Sequence, residues 1–217
     1  MKFYVVIAPE EKKGIYRSWE DCLTAVHGVK GAKYLSVKSL EEANRILNDE
    51  KASFEPGTYA FVDGNHFGGI GCVLVQVARS GKETIKEIKK TVLEVFSDMW
   101  SELEISAELA RIRQILAELG GLKLAVESLN KGTSVTIVHD YTGIAEWMER
   151  RWKIKDPAVF KIVEDIRSKV EEKKLKLRFK HQDSHIPGIG GRNPFREYNE
   201  LADRLATEAA GTVERGM

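Results

Sequence analysis

Cysteine is scarce in this chain, with two among 217 residues, and proline nearly so, with five. Cys22 and Cys72 are too few for a disulfide framework or a zinc site. Both sit in apolar stretches, where reduced core residues are expected. Long apolar runs are missing too. No segment approaches the ~20 residues of a membrane span, and the N-terminus lacks a basic segment leading into a long apolar one. A soluble, cytoplasmic protein with no membrane partner is therefore expected. Charge of one sign is also missing: 34 Lys and Arg face 33 Asp and Glu, a net charge of +1. No global excess announces nucleic acid, so any basic footprint has to be local. Internal repeats and low-complexity tracts are absent, which sets aside solenoids and disordered arrays.

What remains is the material of ordinary globular domains. Hydrophobic residues make up 42% and charged residues 31%, enough for a real core in one larger domain or two small ones. Residues 1–48 read as a small α+β module. "KFYVVIAPE" alternates like a strand, and "KKGIYRSW" holds a Gly turn and a second strand. Ser18 precedes "WEDCLTAV" with Asp21 three residues on, a helix start with capping-box spacing. "AKYLSVKS" is a third strand, and Ser39 caps a last helix, "LEEANRIL". Residues 49–57 are polar, end in Pro56-Gly57 and read as a linker.

Residues 58–217 form the second domain. The stretch "YAFVDGNHFGGIGCVLV", Tyr59–Val75, reads as a hairpin whose first strand ends on Asp63. Asp-Gly is common turn chemistry, so a structural and a functional reading of Asp63 both stand. "ETIKEIKKTVLEVFSDMW" fits a helix by spacing, yet the preceding hairpin invites a third strand through about Ile88. Ile105, Leu109, Ile112, Leu116 and Leu119 then step as one helix. "SVTIVHDY" is a strand that also ends on an acid, Asp140. Two amphipathic helices, "GIAEWMERRW" and "AVFKIVEDIRSKV", lead to the strand "KLKLRFKHQ" and a final helix, "NELADRLATEA".

Two helices carry an acid beside an apolar face: Glu108 next to Leu109, and Asp203 between Ala202 and Leu205. One such acid is usually a solvated residue or a cap. Four of them, Asp63, Glu108, Asp140 and Asp203, could meet where strand ends and flanking helices converge. Clustered carboxylates repel and hold raised pKa values unless a cation neutralises them, and hard divalent ions with oxygen ligands do this.

The order β-β-β-α-β-α…β-α with Asp, Glu, Asp and Asp at these places resembles the type 1 ribonuclease H family. The resemblance is carried by "FVDGN" (Asp63), "ISAELARI" (Glu108), "IVHDYTGIAEW" (Asp140) and "NELADRLA" (Asp203). "FYVVIAPEEKKGIYRSWEDC" with "VKGAKYLSVKSLEEANRIL" resembles the hybrid-binding module found at the N-terminus of many members. The fold implied is α/β, a ribonuclease H-like mixed five-stranded sheet flanked by helices, preceded by that small α+β module. The activity implied is endonucleolytic hydrolysis of the RNA strand of RNA–DNA hybrids, leaving 5′-phosphate and 3′-hydroxyl ends. Two Mg²⁺ or Mn²⁺ ions would be held by Asp63, Glu108, Asp140 and Asp203. No protein partner is implied. Gly64 and Asn65 would turn the chain away and leave the cleft open to nucleic acid. Counting from Phe179 along "FKHQDSHIPG" puts His185 where the family has a histidine that aids proton transfer or product release, with His181 and Asp183 as other candidates.

In the N-terminal module, Tyr4 and Trp19 match the family's nucleic-acid-contacting aromatics. The lysine pair expected after "AKY" is replaced by Leu35 and Ser36, and acidic and basic residues balance over 1–50, which leaves Lys30, Lys33 and Lys38 as the local footprint. Two further departures stand out. The asparagine of many members just upstream of the catalytic Glu is absent before Glu108, where Leu103, Glu104 and Ile105 stand. Trp152 runs through "KIKDPAV" into a helix with no room for the basic protrusion of some bacterial members. The rival reading is a non-catalytic nucleic-acid-binding protein that keeps both folds. The four acids oppose it, because a binder gains nothing from carboxylates facing phosphates.

Overall fold

The computed structural model describes residues 2–47, 54–182 and 194–213, and they fall into two compact units: residues 2–47 in one, the remainder in the other. In the first unit, β1 (Phe3–Ala8) is the centre of a three-stranded antiparallel sheet. It lies between β2 (Gly14–Tyr16) and β3 (Lys33–Val37). Successive residues of β1 face opposite ways. Val6 meets Cys22 and Val26 of α1 (Trp19–Val26), while Val5 meets Ala43 of α2 (Leu40–Leu47). The two helices start where their caps predict. The Asp21 N–H donates to Ser18 Oγ at 3.1 Å, and the Glu42 N–H donates to Ser39 Oγ at 3.1 Å.

The second unit is built on the expected mixed five-stranded sheet. β4 (Gly57–Gly64), β5 (Gly69–Val77) and β6 (Glu83–Thr91) form an antiparallel meander. β7 (Ser134–His139) joins β4 in parallel, and β8 (Lys176–His181) joins β7 in parallel, giving the order β6-β5-β4-β7-β8. The ambiguous stretch after β5 is strand through Thr91, then α3 (Val92–Phe96), started by a Thr91–Glu94 capping box.

Alternation along β4 decides what covers each face. Ala60 and Val62 point to the cluster built with α5 (Gln114–Ser128) and α7 (Pro157–Glu172), while Phe61 points to α8 (Pro194–Val213) through Tyr198, Ala202 and Leu205. Two glycines set the helices close to the sheet. A Cβ on Gly64 would collide with the Ala117 backbone of α5, and one on Gly71 with the Ala202 carbonyl of α8. No helix among the described residues is long and apolar enough to cross a membrane.

One element departs from the sequence reading. The spacing of Ile105 through Leu119 suggests a single helix, but the structure has two: α4 (Glu102–Ile112) and α5, broken at Arg113. Arg113 has φ 44° and ψ −119°, its N–H closes α4 on the Leu109 carbonyl at 2.9 Å, and its own carbonyl opens α5 by accepting from Leu116 N at 3.1 Å. A residue with a Cβ rarely adopts this backbone, and neither Gly nor Pro marks the break. α4 lies largely exposed, whereas α5 is buried from Leu116 to Val126.

Candidate functional site

The carboxyl ends of the parallel pair β4–β7 make the site. Phe61 pairs with Val138 in register, so Asp63 and Asp140, each two residues further on, leave adjacent strand ends together. Crevices at such strand ends are where open α/β sheets commonly hold ligands. Asp63 shares the α8 side of β4 with Phe61. Its carboxylate accepts from the Gly64 N–H at 2.7 Å, which fixes its orientation.

The glutamate that joins them is Glu118, not Glu108. Asp63, Glu118 and Asp140 each present a carboxylate oxygen, all within 4.8 Å of one another. Glu118 reaches the site because α5 rides on Gly64 with its Ala117–Glu118 backbone against the end of β4. Glu108 belongs to α4, where the Arg111 guanidinium donates to it at 2.9 Å and also pairs with Asp156, the N-cap of α7. The break at Arg113 therefore separates the sequence candidate from the site. Asp203, exposed on α8, does not join the tight group, but its charge acts on Asp63.

The electrostatics are those of an unneutralised anion cluster. Burial, then the charges of Asp140 and Asp203, push the Asp63 carboxyl up to about 7 against the pull of the Gly64 N–H. Burial, then Asp63 and Asp140, push Glu118 up to about 9. Gln114 Nε2 donates to Glu118 Oε1 at 3.1 Å, while Oε2 is buried with no hydrogen-bond partner. An orphaned buried carboxylate oxygen facing two further carboxylates is a donor set for a hard divalent cation. The residues present fit that group.

Around this cluster, His181 Nε2 lies 2.8 Å from the Asp140 carbonyl oxygen, and the Gln182 N–H donates to the His139 carbonyl, so the end of β8 braces the Asp140 segment. His139 is buried, and its Nδ1 contacts the Tyr141 carbonyl at 3.0 Å. Burial holds the His139 imidazole below its ordinary pKa. His185 and Asp183 lie outside the described residues. Asn65 is a turn former: its Oδ1 accepts from the N–H groups of Phe67 and Gly69.

In the first unit the structure brings Tyr4 and Trp19 together and adds Tyr34, which the sequence reading missed. The ring centroids run Tyr4–Trp19 5.5 Å and Trp19–Tyr34 5.5 Å, with Trp19 40% and Tyr34 45% exposed. The signal was the antiparallel register, which pairs Val6 with Tyr34 and so sets Tyr34 on the Tyr4 face. Lys30, Lys33 and Lys38 are exposed, and none forms an ion pair among the described residues.

Glu118 also carried a signal. It is the one acid inside "ILAELGGLKLAV", a helix segment that is otherwise apolar or glycine except for Lys123, where an acid has little solvent face to occupy. One turn upstream of Glu118 stands Gln114, whose amide donates to it.

Comparison with known proteins bears on the first unit most directly. Residues 2–45 match the family model described as the ribonuclease H1 N-terminal domain. No curated protein matches the chain. Among solved structures the chain is similar to LC11-RNase H1, isolated from compost by a metagenomic approach: identity is 21%, 73% of this chain and 99% of the other are covered, and the TM-score is 0.46. The same enzyme in complex with RNA/DNA hybrid gives 20% identity, coverage of 72% and 96%, and a TM-score of 0.42. Ribonuclease H1 from the halophilic archaeon Halobacterium salinarum NRC-1 gives 16%, 71% and 98%, and 0.40.

Proposed function

We propose that the protein is an endoribonuclease that hydrolyses the RNA strand of RNA–DNA hybrids, with Mg²⁺ or Mn²⁺ as its ions. The observation that carries this reading is the unneutralised group of buried Asp63 and Glu118 with half-buried Asp140 at the ends of two parallel strands, with Asp203 beside it. The N-terminal unit supplies the substrate class, through its match to the ribonuclease H1 N-terminal domain.

Asp63, Glu118, Asp140 and Asp203 would hold the ions, and the charge of these four carboxylates is balanced by two divalent ions. Ions held by these residues would supply polarisation of the phosphodiester and activation of water, the chemistry that leaves 5′-phosphate and 3′-hydroxyl ends. The chain's own residues prepare the place. Gly64 fixes the Asp63 carboxylate through its N–H, and Gln114 orients Glu118. His181 and Gln182 hold the Asp140 strand end against β8. In the first unit, the Tyr4–Trp19–Tyr34 row and the unpaired Lys30, Lys33 and Lys38 suit a sugar-phosphate backbone, with the rings against sugars and the ammonium groups on phosphates. Hybrid rather than duplex DNA is distinguished by the 2′-hydroxyl of the cleaved strand.

The test is incubation of end-labelled RNA–DNA hybrid, duplex RNA and duplex DNA with the full chain, in Mg²⁺ and in EDTA. Cleavage of the RNA strand of the hybrid alone, abolished by EDTA, is expected. Cleavage of duplex DNA at the same rate, or none of the hybrid in either Mg²⁺ or Mn²⁺, overturns the reading.

A further inference from the structure

The turn that joins β4 to β5 begins at Asn65, two residues after Asp63, and its tip carries His66 and Phe67. Its backbone is tied down on all sides. Asn65 Oδ1 accepts from Phe67 N at 3.0 Å and from Gly69 N at 3.1 Å; Asn65 N donates to the Gly69 carbonyl and Gly68 N to the Asn65 carbonyl, both at 3.0 Å. Gly68 supplies the left-handed position at φ 85°, and its carbonyl accepts from Val92 N at 2.8 Å. The turn thus needs Asn65 and Gly68, and it makes no demand on the side chain between them.

That side chain is nevertheless a large apolar ring. Phe67 is 56% exposed and belongs to none of the apolar clusters of the described residues. Among the described residues its ring contact is His66, at 3.8 Å between centroids. Four residues of chain separate it from Asp63, a reach of no more than about 14 Å. An exposed aromatic ring therefore stands on a backbone-anchored turn a short length of chain from Asp63, where a nucleotide strand must pass if the proposed function holds.

The geometry points to Phe67 as a substrate-positioning residue whose ring packs on the nucleoside face of a nucleotide flanking the scissile phosphate, with His66 supporting the ring from behind. This deepens the hybrid-hydrolysis reading and rests on it. The wide, shallow minor groove of an A-like duplex leaves sugars and base edges open to such a ring. Packing of the ring on the sugars of that groove is tolerant of sequence because every nucleotide presents the same sugar, which suits an enzyme that grips hybrid without reading it.

The experiment uses Phe67→Ala and Phe67→Trp in the full chain. Phe67→Ala is expected to raise KM for hybrid by about 5- to 100-fold, the order of one truncated aromatic contact at an interface, while kcat moves far less and the melting temperature stays with the parent. Phe67→Trp is expected to keep KM near the parent value. Placed in the Asp63→Asn background, which stops turnover, its indole is expected to change emission on hybrid addition beyond the change shown by Asp63→Asn alone. If hybrid is bound and cleaved but Phe67→Ala leaves KM unchanged and the added indole is silent, this assignment falls and the function stands. If the unsubstituted chain neither binds nor cleaves hybrid, the function falls and this assignment with it.

Discussion

α4 and α5 follow one another in the chain, and each carries a glutamate in an "AEL" triplet, Glu108 and Glu118. Their surroundings are opposite. Glu108 sits on an amphipathic helix, shares Arg111 with Asp156 and keeps a quarter of its side chain in solvent, at 26% exposure. Glu118 sits on a helix buried all round, is 0% exposed, and has a carboxamide and two other acids for company. Buried charge is not the distinction by itself. Lys123, also 0% exposed and on the same helix, has carboxylates of Asp98, Glu127 and Asp165 within 3.1 Å. Lys123 is matched by three carboxylates, whereas among the described residues Glu118 has no cation and one carboxylate oxygen without a hydrogen-bond partner. A buried charge left without a partner is costly, and that contrast separates a site from a strut.

The sharpest way to break the comparison is to neutralise each glutamate in turn. Glu118→Gln is expected to lower hydrolysis by more than the roughly 10- to 100-fold that loss of an outer partner of a metal ligand costs, because it removes a ligand itself. Glu108→Gln is expected to leave the rate within about twofold, since it loosens only a partly exposed ion pair. Initial rates on hybrid at saturating Mg²⁺ decide it. Equal losses would return Glu108 to the site.

A smaller effect is linked to pH. The Asp63 and Glu118 carboxyls are raised in the folded state, to about 7 and about 9, from ordinary values of 3.8 and 4.5. Between about pH 4 and 9 the metal-free folded chain therefore holds protons that the unfolded chain has released, and stability falls as pH rises through this window. A divalent ion that binds the ionised cluster offsets that loss. Melting with and without Mg²⁺ at pH 5.5 and 8.5 is expected to show the larger metal-induced rise at pH 8.5. Glu118→Gln should melt above the parent at pH 8.5 without metal, by about 2–4 °C for each kcal/mol of relieved repulsion. An equal Mg²⁺ shift at both pH values would mean that the acids do not form the ion's site.

The smallest effect sits at the junction itself. Arg113→Gly removes the Cβ from a conformation that costs about 1–3 kcal/mol and gives back about 0.5–1 kcal/mol in chain entropy. A net gain of about 1 kcal/mol in denaturant unfolding is expected, with Arg113→Ala, which keeps the Cβ, showing less than half of it.

These residues also show where sequence is enough and where it is not. Ser18, Asp21 and Ser39 announce their helices because a cap is a contact between neighbours in the chain. The alternation of β4 and the acids at the ends of β4 and β7 are readable for the same reason. The helix break is not, because Arg113 carries no Gly or Pro signature and its backbone is imposed by tertiary packing. The same break parts Glu108 from Glu118: the periodic stripe from Ile105 to Leu119 is real, but it spans two helices. Tyr34 was missed because facing another strand's aromatic is a matter of register, which one strand alone does not disclose.

The parallel pairing of β4 with β7 has a consequence for the order of events in the life of the molecule. Asp63 is made early, and it acquires Asp140 only after the crossover through α5 has been synthesised and β7 has docked edge to edge with β4; α8, which carries Asp203, comes later still. Parallel pairing of this kind closes a long loop before it is rewarded, and so forms late. A nascent chain that has exposed only its first unit and the β4–β6 meander has no cleft. Of the four acids it holds only Asp63, so the group Asp63–Glu118–Asp140 is complete only when the sheet is.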